Sequence, residues 1–312
     1  MVIFHAFQWL DDQFWVGAAG VDVFFVISGF IIWTVTDRAS VSPLSFVWRR
    51  LTRVAPAYWV MTFVMAAIAL ADPLFLPQVA VTPSHLLLSL AFIQHADPHG
   101  LVFPLLPPGW TLNYEALFYL IFAGALFAPR AARFAVLLVA LVLVVLAGFA
   151  FPPAYGYIAN PMMLQFAVGA WLARGPLVPW LARIGAGPFL AAVGVLALAV
   201  MGFTGFRDEL WRPALWGFPA AMIVAGLLAL ERQGAPAPPK LLLRLGDASY
   251  AIYLCHLPAT ALVAHTLGVR PALVFAPLAA VASIAAGLVF HRAVERPLIA
   301  VARTAPAFLR RR

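Results

Sequence analysis

Long apolar runs, broken by short polar segments, follow one another along the whole chain. A bilayer core of about 30 Å takes about 20 helical residues to cross, and only helices or closed barrels satisfy their backbone polar groups there. These runs lack the alternation of barrel strands. They predict helical spans at roughly 17–36, 54–72, 110–128, 134–152, 160–174, 187–206, 213–230, 248–268 and 271–291. Residues 1–10, MVIFHAFQWL, are equally apolar, but at a rise of about 1.5 Å per residue they reach only about half way across. They predict a truncated first span or a start upstream of Met1. The expected fold is all-α: a polytopic membrane bundle of about ten transmembrane helices, occupying 1–303 and followed by a basic cytoplasmic tail, 304–312.

Composition strengthens this picture. Of 312 residues, 64% are apolar and only 10% charged, against roughly 25% charged in soluble domains. The mean hydropathy is +0.96. Cys255 is the single cysteine, which excludes a disulfide scaffold. The stretch QGAPAPP, 233–239, is the nearest thing to a linker, and no fixed-period repeat marks a solenoid.

The net charge of +8 suggests nucleic acid until the basic residues are placed. Short cytoplasmic loops collect Lys and Arg, and strict alternation of the spans puts seventeen of the twenty on one side, all but Arg207, Arg212 and Arg270. The basicity is therefore a topology signal, with both termini cytoplasmic and no nucleic-acid partner. Anchoring to anionic membrane lipid accounts for most of it.

Polar groups inside spans are costly, about 2.5–3.5 kcal/mol each for the charged ones on insertion scales, so they default to functional candidates. They are His5, Asp22, Glu115 and His256, with Ser28, Asn113 and Ser249 as uncharged companions. The topology brings His5, Asp22 and Glu115 to the outer half of the bundle. A histidine near carboxylates suits acid–base chemistry; a buried structural network is the other reading of the same residues. Gly17, Gly20 and Gly29 offer small faces for close helix packing. Arg49, Arg50 and Arg53, in WRRLTRVAPAYW at the start of the third span, suit either phosphate binding or membrane anchoring. Cys255 and His256 are adjacent and point about 100° apart on a helix, so they do not form a nucleophile–base pair. His256 lies just before Pro258, where a helix-gap hydrogen bond and a substrate contact are both open. His85, His95 and His99 lack regular metal-ligand spacing, so no metal is expected. The loop from Pro73 to Gly109 carries a short apolar stretch, His85 to Gln94, suited to the interface.

In this order the segments resemble the acyltransferase 3 family, membrane enzymes that O-acylate extracytoplasmic sugars and related hydroxyl acceptors. The resemblance rests on His5 in VIFHA; GVDVFFVISGF around Asp22 and Ser28; Arg49, Arg50, Arg53 and Tyr58 in RRLTRVAPAYW; Glu115 in WTLNYEALFYL; Tyr250, Tyr253 and His256 in SYAIYLCHLP; and the closing ERP of Glu295, Arg296 and Pro297. It implies a bacterial inner-membrane enzyme with His5 as catalytic base, Glu115 in the outer-side motif, and the third-span arginines handling an acyl-CoA donor. Acetyl-CoA would be a co-substrate rather than a bound cofactor. Asp22 or Glu115 would steady the His5 imidazolium, and Ser28, Asn113, Ser249, Tyr250 and His256 would line the substrate pocket. One departure stands out: the family's first helix carries an Arg about ten residues before its His, and only four residues precede His5 here. The same polar residues also fit a non-catalytic solute carrier or channel, or acylation of a lipid or small metabolite.

Overall fold

The structure, a computed structural model, describes residues 16–37, 41–150, 160–204, 208, 210–269 and 272–302. In chain order the helices are α1 (Ala19–Asp37), α2 (Pro43–Ala71), α3 (Pro83–Leu90), α4 (Trp110–Ala125), α5 (Arg130–Ala150), α6 (Leu164–Arg174), α7 (Leu177–Ile184), α8 (Gly187–Thr204), α9 (Phe218–Arg232), α10 (Lys240–Asp247), α11 (Ser249–Leu267), α12 (Ala272–Phe290) and α13 (Arg296–Ala302). No strand occurs among the described residues. The fold is an all-α polytopic membrane bundle.

Among the described residues, seven helical segments are long and apolar enough to cross a membrane: α1, α2, α5, α8, Pro213–Arg232, α11 and Leu273–Ala302. Each coincides with a predicted span. The other two predictions, 110–128 and 160–174, correspond to the shorter α4 and α6. The third span departs from expectation at its start, because α2 begins at Pro43 rather than at 54. Hydropathy marks where a helix leaves lipid, not where it ends. Proline suits the first helical position, and arginine is a good helix former, so the helix runs on through the polar segment. Arg49, Arg50 and Arg53 therefore sit inside α2.

Two wide helical turns, Pro213–Gly217 and His291–Glu295, each end two residues before a proline, Pro219 and Pro297. A proline supplies no N–H to the carbonyl four residues back and its ring crowds that carbonyl. Leu215 and Ala293, the residues four positions back, both lie within a wide turn. In the second turn the Arg296 N–H reaches back five residues to the His291 carbonyl, the spacing of a π-turn.

The chain divides into two compact units. Among the described residues, the first comprises Leu44–Leu117 with 238–302; the second comprises 16–43 with Phe118–Ala237. In the second unit α1 and α6 meet backbone to backbone. A Cβ at Gly29 would collide with the Phe166 carbonyl, and one at Gly169 with the Val26 carbonyl, so only glycine permits this approach. Of the glycines expected to pack in this way, Gly29 does so, whereas Gly20 is exposed. Phe166 stacks between Phe25, at 4.6 Å, and Phe118, at 4.2 Å. In the first unit, α11 and α12 approach closely where Gly287 meets the backbone of Ile252.

Candidate active site

In the first unit the chain enters α4 through the tight turn Pro107–Gly109. The Tyr253 hydroxyl on α11 donates to the Pro108 carbonyl at 2.7 Å and lies 2.9 Å from the Thr111 hydroxyl. The Thr111 hydroxyl also donates to that carbonyl, at 3.2 Å, so both hydroxyls converge on the Pro108 oxygen, which only accepts. Glu115, buried at 6% exposure, follows Thr111 by one helical turn and shares its side of α4. Asn113, also buried, lies between them in sequence and so faces nearly the opposite side. Tyr253 has a second contact, from its carbonyl to His256 Nδ1 at 2.5 Å. That nitrogen therefore carries the proton and Nε2 is the basic one. The contact is a hydrogen bond within α11 to a carbonyl other than that of Leu254, four residues before Pro258, which the proline leaves without an N–H donor. Tyr250 reaches α2, donating to the Val54 carbonyl at 2.7 Å.

The long loop ahead of α4 is bound to α2. Thr82 caps α3 by accepting from the His85 N–H, with Pro83 next in line, a favourable helix start. The Tyr58 hydroxyl donates to the Ser89 carbonyl at 3.2 Å and Trp59 Nε1 to the Leu90 carbonyl at 2.8 Å. Ser89 Oγ donates to the His85 carbonyl and accepts from the Leu105 N–H, tying α3 to the segment that leads into α4. The helix ends with Phe92 at φ 57°, a position glycine usually fills; its ring packs on Tyr58 at 4.9 Å. Tyr58 in turn fills the space beside Gly109, where a Cβ would meet its ring. His85 Nδ1 and His95 Nε2 are 2.7 Å apart, and His95 Nδ1 lies 2.8 Å from the Ile93 carbonyl. Burial and the neighbouring His95 hold His85 below the usual imidazole range, with Asp97 opposing.

In the second unit Asp22 is fully buried in the first turn of α1. Arg212 grips it with Nη2 on Oδ2 at 2.9 Å and Nε on Oδ1 at 3.3 Å, and Gln165 Nε2 donates to Oδ1 at 2.7 Å. The guanidinium also lies 5.5 Å from the Trp216 ring centroid. The helix N-terminus adds favourable potential to the carboxylate.

The acyltransferase domain family matches residues 1–292 of the chain. The chain belongs to the acyltransferase 3 family. It is 39% identical over 308 residues to the exopolysaccharide production protein ExoZ of Rhizobium meliloti (strain 1021), covering 96% of this chain and 94% of that one. No solved structure matches.

The acyltransferase moves a group other than an aminoacyl group and draws it from an acyl donor as co-substrate. Its expected base, His5, lies outside the described residues. Arg49 and Arg53 are exposed on α2 and, four residues apart, share one side of it, while Arg50 stands 5.8 Å from the Phe46 ring. Ser249 is exposed at the start of α11, and Ser28 is buried in α1. Among the described residues no three His, Cys, Asp or Glu side chains gather as a metal site. Reading the sequence missed the Thr111–Tyr253 pair and the Arg212–Gln165 grip on Asp22. Tyr253 was visible only as part of the SYAIYLCHLP segment, and Arg212 only as one of three basic residues on the sparse side.

Proposed function

We propose that this membrane acyltransferase passes an acyl group, acetyl, from cytoplasmic acyl-CoA to a hydroxyl of an extracytoplasmic saccharide. The observation that carries the reading is its likeness, over nearly the whole of both chains, to an exopolysaccharide production protein. The enzyme sits in the bacterial inner membrane with both termini cytoplasmic, as the one-sided distribution of arginine supports. One catalytic domain spans 1–303 and 304–312 is a basic cytoplasmic tail.

In the proposed step His5 takes the proton of the acceptor hydroxyl, whose oxygen attacks the thioester carbonyl carbon. The carbon–sulfur bond breaks, CoA leaves as thiolate, and the His5 imidazolium returns the proton to it. Glu115 or Asp22 steadies that imidazolium, and the carboxylate of Asp22 is itself held by Arg212 and Gln165. Arg49, Arg50 and Arg53 meet the phosphates of the donor at the inner mouth, where guanidinium forks suit them.

The test supplies isotope-labelled acetyl-CoA to membranes containing the enzyme together with alkali-deacylated exopolysaccharide. Ester label on the polysaccharide, lost about 10²–10⁴-fold in His5→Ala at equal protein level, is the expected result. Label confined to lipid would overturn the acceptor, and no thioester turnover would overturn the donor.

A further inference from the structure

Asn113 is 5% exposed, yet neither Nδ2 nor Oδ1 has a hydrogen-bond partner among the described residues. Buried polar side chains are nearly always bonded, and one that is not calls for a reason. An amide left in this state destabilises the resting protein, whereas leucine has a similar branched shape and none of that penalty. Trp110 stands one turn earlier on the same side of α4. It is partly exposed and its ring meets Tyr114 edge-on at 5.9 Å. The same side thus offers an aromatic ring and, one turn deeper, an unbonded amide.

We infer that Asn113 and Trp110 form a subsite for the acceptor sugar, distinct from the Glu115 side of α4. An amide presents two donors and an acceptor in one plane. Vicinal sugar hydroxyls, each of which donates and accepts, satisfy both ends. A thioester carbonyl or a phosphate accepts only and would leave Oδ1 bare. The ring of Trp110 gives a sugar an apolar face to lie on. This subsite lies at the end of α4 that joins the loop Pro73–Gly109, the side from which the proposed reading brings the saccharide. It rests on that reading for the identity of the acceptor.

The experiment compares the wild-type enzyme with Asn113→Leu in detergent, using acetyl-CoA and alkali-deacylated exopolysaccharide. The variant's thermal midpoint should stay level or rise, by about 1–5 °C. Its KM for the polysaccharide should rise about tenfold or more, with KM for acetyl-CoA unchanged. The polysaccharide should also raise the midpoint of the wild type but not of the variant. A lower midpoint, or failure to fold, would show that the amide is bonded in the resting enzyme and sink the proposal. Unchanged polysaccharide KM would remove the sugar role, and a raised acetyl-CoA KM alone would reassign Asn113 to the donor. Failure of the underlying reading looks different, since the wild type itself would then transfer nothing to the polysaccharide.

Discussion

Arg212 and Asp22, 190 positions apart in the chain, are joined by two hydrogen bonds that pin the start of α1 to the segment entering Pro213–Gly217. The pair is asymmetric: the Arg212 side chain is 18% exposed and that of Asp22 is 0%. Removing the arginine strands a buried carboxylate, whereas removing the carboxylate leaves a cation with some access to its surroundings. Arg212→Ala should therefore cost about 3–5 kcal/mol and Asp22→Asn distinctly less. Replacing both by apolar residues should recover most of the loss. Thermal midpoints of the three variants in detergent check the order, and equal losses for the two single changes would refute the asymmetry.

Gly29→Ala and Gly169→Ala each place a methyl group against a main-chain carbonyl of the facing helix. Backbone cannot yield as a side-chain tip can, so each should destabilise the enzyme by roughly 1–3 kcal/mol or more. Gly124→Ala is the control, because nothing lies within 4 Å of its Cβ position. Removing a helical glycine there is worth about 1 kcal/mol of stability. Detergent stability of all three separates packing from propensity.

The burial of His85 makes the segment around α3 sensitive to acid. Because His85 is held below its ordinary value of 6.5, the unfolded chain binds its proton more readily than the folded one. That segment's attachment should be complete above about pH 6.5 and lost as the pH falls through the lowered value of His85. Hydrogen exchange of residues 83–95, followed as the pH is lowered, should show rising exchange in the wild type. His85→Gln should lose that dependence, and a flat wild-type profile would exclude the effect.

Replacing Tyr253 by Phe removes one hydroxyl that serves both Pro108 and Thr111. Each is buried, so the loss should cost about 1–3 kcal/mol and loosen the turn that carries Glu115. The expected kinetic result is a lower kcat with little change in KM for either substrate. A change in stability alone, with kcat intact, would make the contact purely structural.

Arg49→Gln with Arg50→Gln separates donor binding from anchoring. Donor binding predicts a raised KM for acetyl-CoA with the acceptor KM unchanged. Anchoring predicts a disturbed topology, which a reporter fused to the C-terminus would register while the apparent donor affinity stayed the same.

Much of the fold was legible along the chain. A span is recognised by summing hydropathy over its own residues, so membrane-crossing helices such as α1, α5 and α8 appear in the sequence near their structural positions. The cost of polar groups in lipid likewise singled out Asp22, Asn113, Glu115 and His256, all of which are buried. What those residues bond to was not legible, because partnership depends on which helix faces meet, and no local sum contains that. Asp22 was grouped with histidine chemistry, yet its carboxylate is taken by Arg212 from a segment counted only for its charge. Asn113 and Glu115 stood together as polar groups within one span, yet two positions on a helix turn them to opposite sides of α4. Tertiary structure decided both, since burial rewards only the polar groups that find partners in space, whatever their separation in sequence.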